Sequence, residues 1–220
     1  MVDKGIDAKK LSIIYNSLNY DEQLSLRYIS TSKLYQEHFS NSFYNLVFIG
    51  RLTIEKRLDL IISAMELLRK KGLQINLTII GEGKIKNDLD KLSNDLNLDK
   101  NVWFYGPCYN EKLLSKLLYN ADVCVSPGNV GLTAIHAMMY GLPVITHNEF
   151  KMQGPEFEAI VPNKTGDFFE KDSIQSLAET ISSWINMEID REEIRKNCYS
   201  IIDEKYNPHY QIKVLTDNLI

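Results

Sequence analysis

From Tyr44 onward, runs of consecutive apolar residues alternate with longer stretches in which apolar residues recur every three or four positions. Asn45-Leu-Val-Phe-Ile-Gly50 has the first pattern and closes on a glycine that permits a sharp turn. It predicts a strand buried on both faces. Leu58, Ile61, Ile62, Met65 and Leu68 follow at helical spacing, and Lys70-Lys71-Gly72 supplies a cationic end and a glycine stop. The alternation then repeats. Strands are predicted at 75–80, 102–105, 122–126 and 143–146, with turn signals at Gly81-Glu82-Gly83, Gly106-Pro107 and Pro127-Gly128. Helices spanning roughly 85–96, 113–118 and 131–140 separate them.

Strands joined by helices of this length imply parallel βαβ crossovers with helices on both faces of the sheet. The expected fold is α/β, a single doubly wound Rossmann-like domain with a parallel sheet over 44–206. Helices at 172–186 and 190–204 complete it, and a last helix at 208–219, within a terminal piece 207–220, follows the break at Asn207-Pro208. Residues 1–43 fit less well. Leu11-Ser-Ile-Ile-Tyr15 predicts a short strand, and 21–40 predicts polar helix. These residues are too few for a second core. They either decorate the sheet or are the edge of something larger.

The 25 basic and 29 acidic residues leave a net charge of −4 over 220 residues. That argues against binding nucleic acid through bulk positive charge, and no nucleic-acid partner is expected. No apolar run approaches the roughly 18 residues needed to span a bilayer, and no signal-peptide pattern opens the chain. Cys108, Cys124 and Cys198 are odd in number and far apart. A disulfide framework and a Cys-rich zinc site are therefore not expected, and a reducing cytoplasm is.

Ligands of open parallel sheets sit beyond the carboxyl ends of the strands, near the point where strand order reverses. In Gly50-Arg51-Leu52-Thr53-Ile54-Glu55-Lys56, Arg51 and Lys56 share one strand-to-helix loop. The pair could converge on a diphosphate, or be two solvated surface charges. In the second loop, Gly128 and Gly131 allow close backbone approach, and the helix opening there offers free N–H groups to an anion. His136, two turns in, could reach a ligand or lie in the core behind the loop. Gly81-Glu82-Gly83 is a weaker turn signal. Glu156 and Glu158 alternate, and in an extended segment would share one face. There is no Walker loop, His-Glu-x-x-His or nicotinamide fingerprint.

Taken in order, these segments resemble the nucleotide-sugar-binding half of retaining family-4 glycosyltransferases of the GT-B fold. Phe48-Ile-Gly-Arg-Leu with Lys56 is similar to the family's Gly-Arg-Leu…Lys, whose Arg and Lys hold the donor diphosphate. Ile79-Ile-Gly-Glu-Gly resembles its second-strand turn, and 102–106 the strand whose exit loop lies near the nucleobase. His136-Ala-Met-Met-Tyr-Gly-Leu-Pro-Val-Ile resembles Glu-Ala-Met-Ala-x-Gly-x-Pro-Val-Ile, and Glu158 through Thr165-Gly166 resembles Glu-Ile-Val…Thr-Gly. The likeness runs from Gly5-Ile6-Asp7 to about Tyr206.

The resemblance implies a C-terminal, donor-binding half of a glycosyltransferase acting in surface polysaccharide or glycoconjugate synthesis. Its partner is a nucleotide-diphosphate sugar, and it needs neither metal nor cofactor. Arg51 and Lys56 become the catalytic pair that neutralises the leaving diphosphate. Gly50, Gly106, Gly128, Gly131, Leu132, Thr133, His136 and Glu156 become donor contacts. The departure from the family falls within that site. Two glutamates on either side of a seven-residue spacer correspond here to Gly128 and His136. Gly128 brings no side chain, and Glu156 is the expected substitute. An imidazole can still exchange a hydrogen bond with a ribose hydroxyl. By the same resemblance, 1–43 holds an interdomain strand, and the final helix crosses back toward an N-terminal acceptor domain that this chain lacks. That domain could bring a cytoplasmic protein to the inner face of the membrane. A non-catalytic nucleotide-binding module and a sugar-nucleotide epimerase of the same fold are the alternatives.

Overall fold

The computed structural model describes residues 5, 7, 11–27 and 32–218. Six strands, β1 (Tyr44–Ile49), β2 (Ile75–Ile80), β3 (Val102–Gly106), β4 (Val123–Ser126), β5 (Val144–His147) and β6 (Gly166–Phe169), form one parallel sheet in the order β3-β2-β1-β4-β5-β6. The order reverses between β1 and β4, so the crevice beyond their carboxyl ends is where this architecture receives ligands.

Five of these strands match the apolar runs of the sequence; β6 does not. Gly166-Asp-Phe-Phe169 has neither a sustained apolar run nor alternation. It becomes a strand because β5 offers a free edge, pairing Val144 with Gly166 through His147 with Phe169. Glycine is required at 166. A β-carbon there would stand 1.8 Å from the Val144 carbonyl oxygen, and φ is +154°.

Both sheet faces are covered, which explains why β2 is buried at every position. On one face Leu46, Phe48, Leu77 and Ile79 meet the apolar stripes of α3 (Leu58–Lys70), α4 (Lys86–Asp95) and α7 (Ile174–Ile185). On the other, Val47, Ile80 and Cys124 meet α5 (Glu111–Asn120), α6 (Leu132–Met139) and α8 (Arg191–Lys205). Cys124 and Cys198 are buried thiols within that second core, their pKa values pushed up by burial.

The amino-terminal residues are organised differently from the expectation. Within 11–18 there is no strand. Tyr15 instead packs its ring 4.8 Å from that of Tyr206, and its carbonyl accepts a hydrogen bond from Gln211 Nε2 at 2.7 Å. The backbone partner is thus the side chain of a helix, α9 (Pro208–Asn218), and not a sheet edge. The predicted helix at 21–40 is two short helices, α1 (Tyr20–Leu26) and α2 (Leu34–Phe39), with 28–31 outside the described residues. Of the Gly5-Ile6-Asp7 stretch that opens the resemblance, Ile6 also lies outside them. Arg27, 2% exposed, fastens this region to the domain. It makes two 2.8 Å bonds to Asp203 of α8 and one of 3.2 Å to the Met139 carbonyl.

Candidate functional site

The turns after β1, β2 and β3 lie against one another without intervening side chains. Gly50 N–H donates to the Ile80 carbonyl, Gly81 N–H to that of Gly106, and Leu52 N–H to that of Glu82. A β-carbon on Gly81 would fall 1.9 Å from Gly50 O, and one on Gly83 2.1 Å from Leu52 O. The Gly81-Glu82-Gly83 signal is therefore more than a helix start: it lets two strand exits pack backbone to backbone. Between these turns and the loop after β3 opens a cleft of about 330 Å³ lined by Gly50, Arg51, Glu82, Pro107, Cys108 and Tyr109, among others. Gly106, with φ +87°, turns the chain into that loop. Tyr109, 88% exposed at the lip, carried no signal in the sequence.

Arg51 is exposed and lines the cleft. Lys56 sits deeper, at the end of a single 3-10 turn (Ile54–Lys56), and its Nζ donates to the Asn129 carbonyl across the crevice. Burial, and then the neighbouring Arg51 charge, pulls Lys56 below the ordinary lysine pKa. Two cations pressed together at the mouth of a crevice form a site that a bound polyanion would relieve.

On the far side of the crevice, Gly131 (φ +50°) opens α6. Thr133 Oγ1 donates to the Ile49 carbonyl at 3.0 Å, which ties the first turn of α6 to the end of β1. The first-turn N–H groups of Leu132 and Thr133 have no helical carbonyl behind them and carry the positive end of the helix dipole. The loop before α6 is held from below: Gln153 Oε1 accepts from Val130 N–H at 2.9 Å, and Gln153 Nε2 donates to Thr146 Oγ1 at 2.9 Å.

Gly128 contributes packing. Its N–H donates to the Lys56 carbonyl at 3.2 Å, and a β-carbon would stand 2.0 Å from the Glu55 carbonyl oxygen. His136 follows Thr133 by one turn and is 15% exposed. Its Nε2 lies 2.7 Å from Oε1 of Glu111, the first residue of α5. The same oxygen accepts from Tyr140 Oη at 2.6 Å and Gln23 Nε2 at 3.0 Å. Burial opposes ionisation of Glu111, but the hydrogen bond and charge attraction of His136, followed by the bonds from Tyr140 and Gln23, outweigh it and hold the pKa at about 2. Sequence reasoning missed Glu111, because an acidic residue opening a helix is explained by capping alone.

Glu156 and Glu158 do not share an extended face. A 3-10 turn, Pro155–Ala159, buries Glu156 and leaves Glu158 exposed. Glu156 Oε1 accepts from Asn16 Nδ2 at 2.7 Å. Its Oε2 fills the space beside Gly154, where a β-carbon would be 2.6 Å away, and that same point is 3.7 Å from the Gly131 Cα. The carboxylate therefore lies behind the turn that opens α6.

A second cavity, of about 220 Å³, includes Tyr44, Asp122, Trp184 and Arg191 and lies at the amino ends of the strands. Its arginine is already paired with Asp122 at 2.8 Å, so it offers no unpaired charge of the kind Arg51 brings to the crevice.

The fold and this crevice define a class, and comparison with known proteins agrees. Residues 34–200 match the family Glycosyl transferases group 1, and the chain belongs to that family. A Staphylococcus aureus poly(ribitol-phosphate) alpha-N-acetylglucosaminyltransferase is 30% identical over 162 residues, covering 72% of this chain and 32% of the relative. A GDP-mannose-dependent alpha-(1-6)-phosphatidylinositol dimannoside mannosyltransferase of Mycobacterium tuberculosis is 33% identical over 103 residues, 46% of this chain and 26% of the relative. The chain thus spans about a quarter to a third of the length of these curated relatives. Among solved structures, Anabaena Alr3699/HepE in complex with UDP superimposes with a TM-score of 0.75 at 18% identity, covering 99% of this chain and 59% of that one. A point mutant of S. aureus TarM, in complex with Fondaparinux, alpha-GlcNAc-glycerol and UDP, gives 0.73 at 24% identity, with 99% and 41% coverage. Both likenesses establish the GT-B type of fold. Among the described residues no helix is long and apolar enough to cross a membrane.

Proposed function

We propose that this chain is the donor-binding part of a retaining glycosyltransferase that uses a nucleotide-diphosphate sugar in surface polysaccharide or glycoconjugate synthesis. The observation that carries the reading is the convergence of Arg51, Lys56 and the first turn of α6 across the β1–β4 switch point. A diphosphate seated there meets two cations and the positive end of a helix. Charge that develops on a departing diphosphate is then stabilised by groups already in place. The nucleoside extends into the cleft under Tyr109, and His136 meets a hydroxyl of the donor. Glu156, the buried carboxylate behind Gly131, is the proposed sugar-side contact in place of the glutamate that Gly128 replaces. Transfer with retention needs an acceptor held in line with the breaking bond, which we assign to an N-terminal domain beyond this chain.

Calorimetry with UDP-, GDP- and ADP-sugars tests the first step, since a ligand at about 100 times its Kd stabilises by roughly 2.7 kcal/mol. Binding of at least one is expected, with transfer only when the chain is extended at its amino end. Absence of binding by all three, or transfer by the 220-residue chain alone, refutes the assignment.

The tight packing at Gly128 supports a second reading, a nucleotide-binding module without turnover. Donor hydrolysis or transfer by an extended protein excludes it.

A further inference from the structure

His136 is held by one ring nitrogen only. Nε2 is bonded to Glu111 Oε1, and among the described residues Nδ1 has no hydrogen-bond partner. An ionised carboxylate only accepts, so the proton of a neutral ring must reside on Nε2 and Nδ1 must be the acceptor. Glu111 is ionised and heavily engaged: besides His136, Tyr140 at the end of α6 and Gln23 from α1 donate to the same oxygen. Its own position is set by the Asn110 cap, whose side chain accepts from Leu113 N–H at 3.1 Å. The ring and its partner carboxylate each follow, in sequence, a segment that borders the crevice. Before the ring, a turn earlier in α6, Thr133 is bonded to the end of β1. Before the carboxylate, the cleft-lining Pro107, Cys108 and Tyr109 lead directly into Asn110 and Glu111.

We infer that Glu111 is a positioning residue that fixes the His136 tautomer, presenting Nδ1 as an acceptor to a ribose hydroxyl of the bound nucleotide. A carboxylate on α5 thereby gives the histidine on α6 the acceptor character that a carboxylate at 136 would have had. The inference rests on the donor-site proposal above, and pyrophosphate separates the two. It tests Arg51 and Lys56 without any ribose contact.

The experiment measures affinity for inorganic pyrophosphate, and for UDP, GDP and ADP beside their 2′-deoxy counterparts. The protein is the unmodified chain and its Glu111→Ala, Glu111→Gln and Tyr140→Phe variants. Ring nitrogen-15 spectra report the tautomer of His136, distinguished from the other three histidines by a His136→Gln variant. The unmodified protein should show the Nε2–H form and prefer the ribonucleotide roughly two- to tenfold, the value of one neutral hydrogen bond. Glu111→Ala should mix the tautomers and bring that preference close to one, with pyrophosphate affinity unchanged. Glu111→Gln, which keeps an acceptor oxygen, should restore most of it. Tyr140→Phe loosens the same helix junction without touching the ring and should leave the preference intact.

An Nδ1–H tautomer in the unmodified protein, or a ribose preference that survives Glu111→Ala, overturns the inference. So does an equal loss in Glu111→Ala and Tyr140→Phe, the signature of a purely structural role. If Glu111→Ala does not fold, the tautomer of the unmodified protein still decides the matter. Failure of pyrophosphate and all three nucleotides to bind overturns the donor-site proposal itself, and this inference with it.

Discussion

Gly128 and Glu55 are in backbone contact: a β-carbon on Gly128 would lie 2.0 Å from the Glu55 carbonyl oxygen and 2.9 Å from the Lys56 Cα. The relationship joins the loop before α6 to the loop that carries Lys56. It makes the missing side chain at 128 a packing requirement as well as a chemical departure. Because the obstacle is backbone, it cannot be relieved by a rotamer change.

Gly128→Ala is therefore expected to destabilise the domain by about 1–3 kcal/mol through overpacking. Gly128→Glu should do at least as much without raising the transfer activity of an extended protein. Urea unfolding measures the first, and a donor-turnover assay of an extended protein measures the second.

Arg51→Ala and Lys56→Met should each weaken nucleoside diphosphate binding by about 1.5–3 kcal/mol, the range for a hydrogen bond to a charged group. Nucleoside affinity should change little. The two differ in their effect on stability. Lys56 has a folded pKa below its unfolded value, so between the two the unfolded chain holds more protons and the half-buried charge costs stability at neutral pH. The melting temperature of Lys56→Met in the absence of ligand should not fall. Parallel calorimetry and thermal unfolding check both halves.

Glu111 contributes to stability in a defined acid window. Its folded pKa of about 2 lies below the ordinary glutamate value of 4.5, so the unfolded state binds more protons between them. The contribution is complete above pH ~5 and is lost as pH falls toward about 2, amounting to a few kcal/mol. Glu111→Gln should flatten that part of the stability–pH curve and lower the plateau at neutral pH. Urea midpoints collected from pH ~2 to ~7 show whether it does.

Arg27 ties α1 to α8 through a side chain that is 2% exposed, opposite an Asp203 that is 40% exposed. Arg27→Met should cost less than the roughly 3–5 kcal/mol of breaking a fully buried pair, because Asp203 can rehydrate. The loss should be accompanied by faster amide exchange across 20–27. Hydrogen exchange distinguishes local release from general loosening.

The sheet from β1 to β5, the helices between them and the placing of the β1 and β4 exits at one crevice were legible in the sequence. Each rests on a local pattern: an apolar run, a helical period, or a glycine at a strand exit. The candidate cations Arg51 and Lys56, and the Gly131-Leu132-Thr133 helix opening, were legible for the same reason. Three features were decided by tertiary structure alone. β6 exists because β5 has a free edge, which a four-residue Gly-Asp-Phe-Phe segment does not encode by itself. Leu11 to Tyr15 read as a strand but rest against Tyr206 and α9, since a strand pattern needs a partner edge before it becomes one. Glu111 and His136 lie 25 residues apart, on two helices whose approach is set by the packing of α5 and α6 on one sheet face. No local period relates two such positions. A long-range pair of this kind becomes visible only when the core that brings its helices together has formed.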